Sequence, residues 1–247
     1  MIKIVIPSHK RADSVKTLKL VPTAILCVAE SQVDEYRRFN PKAEIVAHPD
    51  DVVGLIPKRN WMVRKFGELF MLDDDLIEFR SYVEYKEPCP IKDHAKILRV
   101  IDELYCMAKA LDVHLFGFGN KVTPVQWDEF TPFKMKNCVT GRNYGVIGNE
   151  NTVWDENFVL KEDFLISCMV MYKEGAILTD ERYTFLQEKT MKNRGGLSEF
   201  RNRDTERENC IRMRQYFGEC VKLKKEGWNG QKHTKSLNNF NISVSFR

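Results

Sequence analysis

Three consecutive carboxylates, Asp73, Asp74 and Asp75, stand directly behind the apolar run Phe70-Met71-Leu72. Packed this closely, they repel one another unless water or a cation neutralises them. Along an extended segment alternate side chains point the same way, so Asp73 and Asp75 can share one site while Asp74 turns aside. Oxygen donors of this kind suit Mg2+ or Mn2+, cations that also hold substrate phosphates. The ordinary alternative is a solvated acidic turn. A second acidic pair, Glu162-Asp163, follows Val159-Leu160-Lys161 and opens the apolar stretch Phe164 to Tyr172. The dipole at a helix start favours carboxylates there, so capping alone would account for the pair. Two more groups carry reactive or basic side chains: Lys58-Arg59 behind Pro57, and His233 within Gly230-Gln231-Lys232-His233-Thr234-Lys235.

The elements that must position these residues alternate between two periods. Ile2 to Ile6, Ala24 to Ala29, Ala43 to Ala47 and Glu68 to Leu72 are near-continuous apolar runs, the pattern of strands in a parallel sheet covered on both faces. Between them, Ser31 and Asp34 signal a helix start that runs on through Arg38. Pro57 and Gly67 bracket a second helix. This alternation predicts βαβ units and a right-handed, doubly wound α/β sheet. Ligands in such sheets bind outside the carboxyl ends of the strands, where Asp73 to Asp75 lie. Further on, Ile97 to Leu111 has helical spacing, and Val113 to Phe118 reads as a strand. Tyr144 to Ile147 and Asn157 to Leu160 are short strand candidates. Phe164 to Tyr172 is a buried helix ended by Gly175, and Ala176 to Thr184 is strand plus turn. No internal repeat or low-complexity linker divides the chain. It reads as one domain over 1–247: a nucleotide half at 1–80, an acceptor half at 81–190 and a basic extension at 191–247.

The order of these pieces resembles the GT-A fold of glycosyltransferases, with its Rossmann-like, mostly parallel twisted sheet. Ile4-Val5-Ile6-Pro7-Ser8-His9-Lys10-Arg11 is similar to their opening strand and loop. Gly54 with Lys58-Arg59-Asn60, a helix, and a strand ending in Leu72-Asp73-Asp74-Asp75 resembles their central stretch. The match runs in order over roughly residues 1 to 80. The resemblance implies a nucleotide-sugar donor, with a uridine diphosphate sugar expected, held with Mn2+ or Mg2+ by Asp73 and Asp75. Pro7, Ser8 and Arg11 would line the nucleotide pocket, Glu30 would sit near the base or ribose, and Asp50 or Asp51 near the base edge. Lys58 or Arg59 would meet the nucleotide or its phosphates. Asp163, with Glu162 second, would be the general base of an inverting transfer to a hydroxyl, and His233 a further metal ligand. Within GT-A enzymes the chain resembles the phage glycosyltransferases associated with TET-type base oxygenases, which are proposed to act on hydroxymethylated pyrimidines in DNA.

Composition agrees with a soluble enzyme: 43% of residues are apolar and 30% charged. No apolar run approaches the roughly 20 residues of a membrane span, and the N-terminus lacks the pattern of a signal peptide. The expected location is cytoplasmic, the host cytoplasm if the protein is phage-encoded. The seven cysteines include no Cys-x-x-Cys pair, and runs such as those around Cys27, Cys106 and Cys168 suggest buried, reduced thiols. Between Lys192 and Lys235, 12 Lys/Arg stand against 6 Asp/Glu, leaving the rest of the chain slightly acidic. That excess suggests a phosphate backbone, met by Arg194, Arg201 and Arg203, or else a solvated helix face or contacts to the donor diphosphate. Trp127, Phe130 or Phe133 would line the path of a base flipped out of duplex DNA. Two rivals remain at this level: a glycosyltransferase acting on a glycan, lipid or protein, and an inert nucleic-acid-binding protein on a transferase fold. A nucleotidyltransferase is disfavoured, since no Gly-rich basic loop follows the first strand. Sugar, anomeric outcome and oligomeric state are not encoded legibly.

Overall fold

A computed structural model describes residues 1–83, 89–119, 128, 130–188, 196–223 and 242–246. In chain order the strands are β1 (Lys3–Pro7), β2 (Ile25–Ala29), β3 (Ile45–His48), β4 (Glu68–Leu72), β5 (Leu76–Ser81), β6 (Cys89–Pro90), β7 (Leu115–Phe118), β8 (Phe133–Lys134), β9 (Asn143–Ile147), β10 (Leu178–Asp180), β11 (Tyr183–Gln187), β12 (Val221–Leu223) and β13 (Ile242–Val244). The helices are α1 (Val33–Phe39), α2 (Leu55–Phe66), α3 (His94–Ala110), α4 (Glu162–Glu174) and α5 (Arg203–Phe217). The main sheet has the order β3-β2-β1-β4-β9-β7-β10-β8. Strands β1 to β4 are parallel, and β7 and β10 are parallel to each other. Strand β9 runs against both β4 and β7, and β8 runs against β10. This is the mixed, mostly parallel α/β sheet expected of a GT-A fold.

Alternation along the strands builds two cores, one on each face. Ile4, Ile6, Phe70 and Leu72 pack with Ile97, Val100, Ile101 and Leu104 of α3. Val5, Leu69 and Met71 pack with Ile56, Met62 and Val63 of α2, with Leu165 and Ile166 of α4, and with Cys210 and Met213 of α5. Leu72 belongs to the α3 face. The next side chain, Asp73, therefore falls on the α2/α4 face, and Asp74 falls back on the other.

Three expectations need correction, and one strand was not foreseen. Asn157 to Leu160 is not a strand: the N–H groups of Val159 and Leu160 go to the Oδ1 of Asn209, not to a ladder. Leu76–Ser81, unassigned from the sequence, is the middle strand of a second sheet, β11-β5-β6. Cys106 is exposed, because it sits opposite the buried stripe Ile97, Val100, Ile101, Leu104 and Ala108 of α3. The α5 segment is more than a solvated face, since it buries Glu206, Asn209, Cys210 and Met213.

Candidate functional site

The strand directions gather the chemistry at one edge. The carboxyl ends of β1, β2, β3 and β4 open there, and so does the start of antiparallel β9, because Leu72 is paired with Asn143. The ladder ends on a bond from the Asp73 N–H to the Arg142 carbonyl, 3.0 Å long. Beyond it the chain turns through Asp73, Asp74 and Asp75 into β5.

The three carboxylates separate within a turn rather than along an extended segment: Asp74 and Asp75 both lie by Arg11, whereas Asp73 lies by Arg59. Asp74 is buried, accepts from Ser8 Oγ, and pairs with Arg11 at 2.9 Å. Tyr36 in turn donates to Ser8 Oγ at 2.7 Å, and burial pushes its phenol up to about 12. Asp75 is also buried. It accepts from Gln187 at 3.1 Å and lies 3.9 Å from Arg11. Asp73 keeps 28% of its side chain open and lies 3.5 Å from Arg59. Desolvation pushes its carboxyl up to about 8, against the pull of Arg59 and helped by Asp75, Asp74 and Glu162.

Arg59 is the hub of the α2/α4 face, 1% exposed. Its guanidinium donates to Tyr144 Oη and, at 3.0 Å, to the Gly141 carbonyl. It also lies 3.4 Å from Glu162 and stacks 4.9 Å from the Tyr144 ring centre. Burial opposes its charge, but Tyr144, Glu162, Asp73 and Asp163 outweigh that cost and raise its pKa. It therefore stands behind the carboxylates rather than on the open wall where a nucleotide contact was expected. Lys58 is likewise buried, donates to the Ser8 carbonyl at 2.8 Å, and is lowered to about 8 by burial.

Asp163 lies across from Asp73 at the start of α4. Its Oδ2 accepts from the Gly141 N–H at 3.1 Å and its Oδ1 from the Phe164 N–H at 2.9 Å. Burial, then the neighbouring Glu162, pushes its carboxyl up to about 6. Glu162 is more deeply buried and tied to Arg59, so Asp163 is the more reachable of the pair. The turn before α4 is stitched to α2: Asn60 donates to the Trp154 carbonyl at 2.9 Å and accepts its N–H at 2.8 Å. Trp154 donates its indole N–H to the Glu162 carbonyl at 2.9 Å.

Sequence reasoning missed Arg142. Half-buried, it donates to the Phe185 carbonyl, and desolvation lowers its pKa against the fields of Asp73, Asp163 and Asp75. Like Arg59, it interacts electrostatically with Asp73 and Asp163. Its signal lay in Gly141-Arg142-Asn143, where a glycine and two polar residues introduce a strand.

At the ends of β2 and β3 the expected base-side residues are exposed. Glu30 begins the turn after β2, and Asp50 accepts from the Ser31 N–H at 3.1 Å and from Ser31 Oγ at 2.7 Å. These bonds hold the Asp50 carboxyl below its ordinary range. Pro7 is buried at the end of β1. A cavity of about 420 Å³ adjoins Arg11 and Asp75, lined also by Lys10, Lys16, Phe39 and Glu188.

His233, Arg194 and Trp127 lie outside the described residues. Arg201 is ion-paired with buried Glu206 at 3.0 Å, and Arg203 opens α5 as an exposed residue. Phe130 is exposed, whereas Phe133 carries the Arg182 guanidinium 4.5 Å over its ring. Among the described residues no three His, Cys, Asp or Glu side chains gather closely enough to hold a metal unaided. Nor, among them, is any helix long and apolar enough to cross a membrane.

The family model described as TET-Associated Glycosyltransferase matches residues 2–196. The chain belongs to the TET-associated glycosyltransferase family. Among solved structures this family member is similar to S. aureus TarS 1-349 in complex with UDP-GlcNAc. The TM-score is 0.51 at 10% identity, over 85% of this chain and 65% of the TarS chain, a likeness of fold. A second structure of S. aureus TarS 1-349 aligns at a TM-score of 0.45 and 10% identity, over 85% of this chain and 64% of that one. Curated protein sequences give no match.

Proposed function

We propose that this protein transfers a sugar from a uridine diphosphate sugar to a hydroxyl, with inversion, at the edge formed by Asp73, Asp75, Arg142 and Asp163. The observation that carries the reading is the meeting, at the carboxyl end of the sheet, of Asp73, 3.5 Å from buried Arg59, and Asp163, held by the Gly141 and Phe164 N–H groups, in a chain of a glycosyltransferase family. The uridine donor is supported by the UDP-GlcNAc in the TarS complex.

A divalent cation fits the donor set. Asp73 remains reachable, and burial first, then the carboxylates around it, disfavour its ionised form against the pull of Arg59, a penalty that a cation would offset. Mg2+ and Mn2+ commonly take only one or two carboxylates, with substrate phosphates and water completing the shell. Asp73 and Asp75 would hold it, and it would neutralise the departing diphosphate. Arg142 supplies a fixed positive charge beside that leaving group.

The acceptor is a hydroxyl, proposed to be that of a 5-hydroxymethylpyrimidine in phage DNA, in keeping with the TET-associated family. Asp163 takes the hydroxyl proton as the acceptor oxygen bonds to the anomeric carbon. The carbon–oxygen bond to the diphosphate breaks on the opposite side, and the diphosphate leaves with the electron pair. The Gly141 and Phe164 N–H groups fix the orientation of that carboxylate.

The test is a donor screen with Mn2+, scored by UDP release with and without a duplex carrying 5-hydroxymethylcytosine. Release that requires both donor and modified duplex supports the reading. Release with a glycan acceptor alone would move the acceptor, and no release with any UDP-sugar would remove the donor.

A further inference from the structure

Helix α5 lies beyond residues 2–196, the stretch that the family model matches, yet it grips the turn that delivers Asp163. Asn209 is 5% exposed. Its Oδ1 accepts two successive backbone N–H groups, from Val159 at 3.0 Å and Leu160 at 3.1 Å. Its Nδ2 donates to the Thr205 carbonyl at 2.8 Å, which fixes the side-chain amide the right way round. One turn earlier on the same face, the buried Glu206 carboxylate meets Lys161 at 2.8 Å and Arg201 at 3.0 Å.

Lys161 joins these contacts to the site. Its φ of 66° is left-handed, a conformation that a lysine keeps only when its surroundings impose it. Three successive residues are thus held by α5 where α4 begins, Val159 and Leu160 through their backbone N–H groups and Lys161 through its side-chain ammonium. Asp163 follows two residues later, and its Oδ2 accepts the Gly141 N–H from the turn before β9. Cys210 and Met213 already supply the apolar packing of α5. The buried polar pair Glu206 and Asn209 adds direction to it.

We infer that Asn209 and Glu206 are positioning residues for glycosyl transfer, and that α5 sets where the Asp163 carboxylate stands. This rests on the reading of Asp163 as the base. A small displacement of a reacting group is costly: about 1 Å can lower a rate by ~100-fold.

The test uses the full chain with Asn209→Ala, Glu206→Gln and the conservative Asn209→Asp. In Asn209→Asp a carboxylate of the same shape keeps the acceptor for the two N–H groups and loses only the donor to the Thr205 carbonyl. Amide hydrogen exchange is read at Gly141, which reports on Asp163, and over β4 as a control. UDP affinity is measured with Mn2+, and turnover as UDP release from UDP-GlcNAc with the 5-hydroxymethylcytosine duplex. In Asn209→Ala, exchange at Gly141 should rise about tenfold while β4 is unchanged. UDP affinity and the donor KM should stay within about twofold, while kcat falls about tenfold or more. Asn209→Asp should restore most of both effects, and Glu206→Gln should act in the direction of Asn209→Ala.

Unchanged Gly141 exchange in both Asn209→Ala and Glu206→Gln would overturn the proposal. So would a loss of UDP affinity equal to the loss of kcat, since that marks general destabilisation. Asp163→Asn is measured alongside. If it keeps the parent kcat, the base reading fails by itself, and the Gly141 exchange still decides whether α5 places that carboxylate.

Discussion

A guanidinium that is 1% exposed and set between Asp73 and Glu162 makes the site depend on one buried cation. Removing one partner of a buried ion pair costs about 3–5 kcal/mol, because the other charge is left uncompensated. Arg59→Met should lower stability by that order, read from its urea unfolding midpoint. Arg59→Lys should recover only part, since one ammonium cannot reach the Gly141 carbonyl, Tyr144 and both carboxylates together. Asp163 governs a different observable. Its carboxyl is raised to about 6, so it is increasingly protonated, and useless as a base, below that pH. The UDP-release kcat/KM should fall about tenfold per pH unit below about 6 and level off above it. A profile flat from pH 5 to 7 would contradict the assignment. Asp163→Asn should lower kcat by about 10²–10⁴ while leaving UDP affinity intact. The places of Asp73 and Asp163 were legible because carboxylates at a strand end and a helix start are conspicuous in sequence. The place of Arg59 was legible only in spacing: Ile56, Arg59, Asn60 and Val63 fall at i, i+3, i+4 and i+7, the buried stripe of α2. A pair of basic residues at a helix start drew attention to charge and away from that stripe.

At the level of elements, strand alternation decides which helix each carboxylate meets. Odd residues of β1 and β4 face α2 and α4, and even residues face α3, so Asp73 had to join Arg59 and Asp74 had to join Ser8. A cross-strand fit fixes the register of β9 against β7. A Cβ at Gly145 would lie 2.1 Å from the Phe116 ring, so only glycine allows that ring to lie over the strand. Gly145→Ala should destabilise by about 1–3 kcal/mol or more, which for a chain of this size is a melting-temperature drop of roughly 2–4 °C per kcal/mol. A variant melting with the parent would mean the ring is free to move. The parallel strands were legible as apolar runs. Val159 and Leu160 were not, because their apolar side chains mimic a strand while their N–H groups are claimed by Asn209, some fifty residues on. Strand β5 was hidden by its mixed Leu76-Ile77-Glu78-Phe79-Arg80-Ser81 pattern, which becomes a strand through pairing with β11.

On the scale of the whole molecule, the sheet order brings two distant acidic motifs to one edge, and no local pattern could have reported their separation. The basic tail looks different in three dimensions than in sequence. Arg201 pairs with Glu206, Arg212 with Glu208 and Arg214 with Glu219, so three of the tail's arginines are held by the tail's own carboxylates, which leaves its net positive excess unchanged. A donor site at this edge must bind a nucleotide diphosphate through a cation. The direct measurement is calorimetric titration of UDP with and without Mn2+, on the parent, Asp73→Ala and Asp163→Asn. Mn2+ should strengthen UDP binding at least about tenfold in the parent and in Asp163→Asn, and should have no effect in Asp73→Ala. Equal UDP affinity with and without Mn2+ in the parent, or full Mn2+ enhancement in Asp73→Ala, would contradict that requirement.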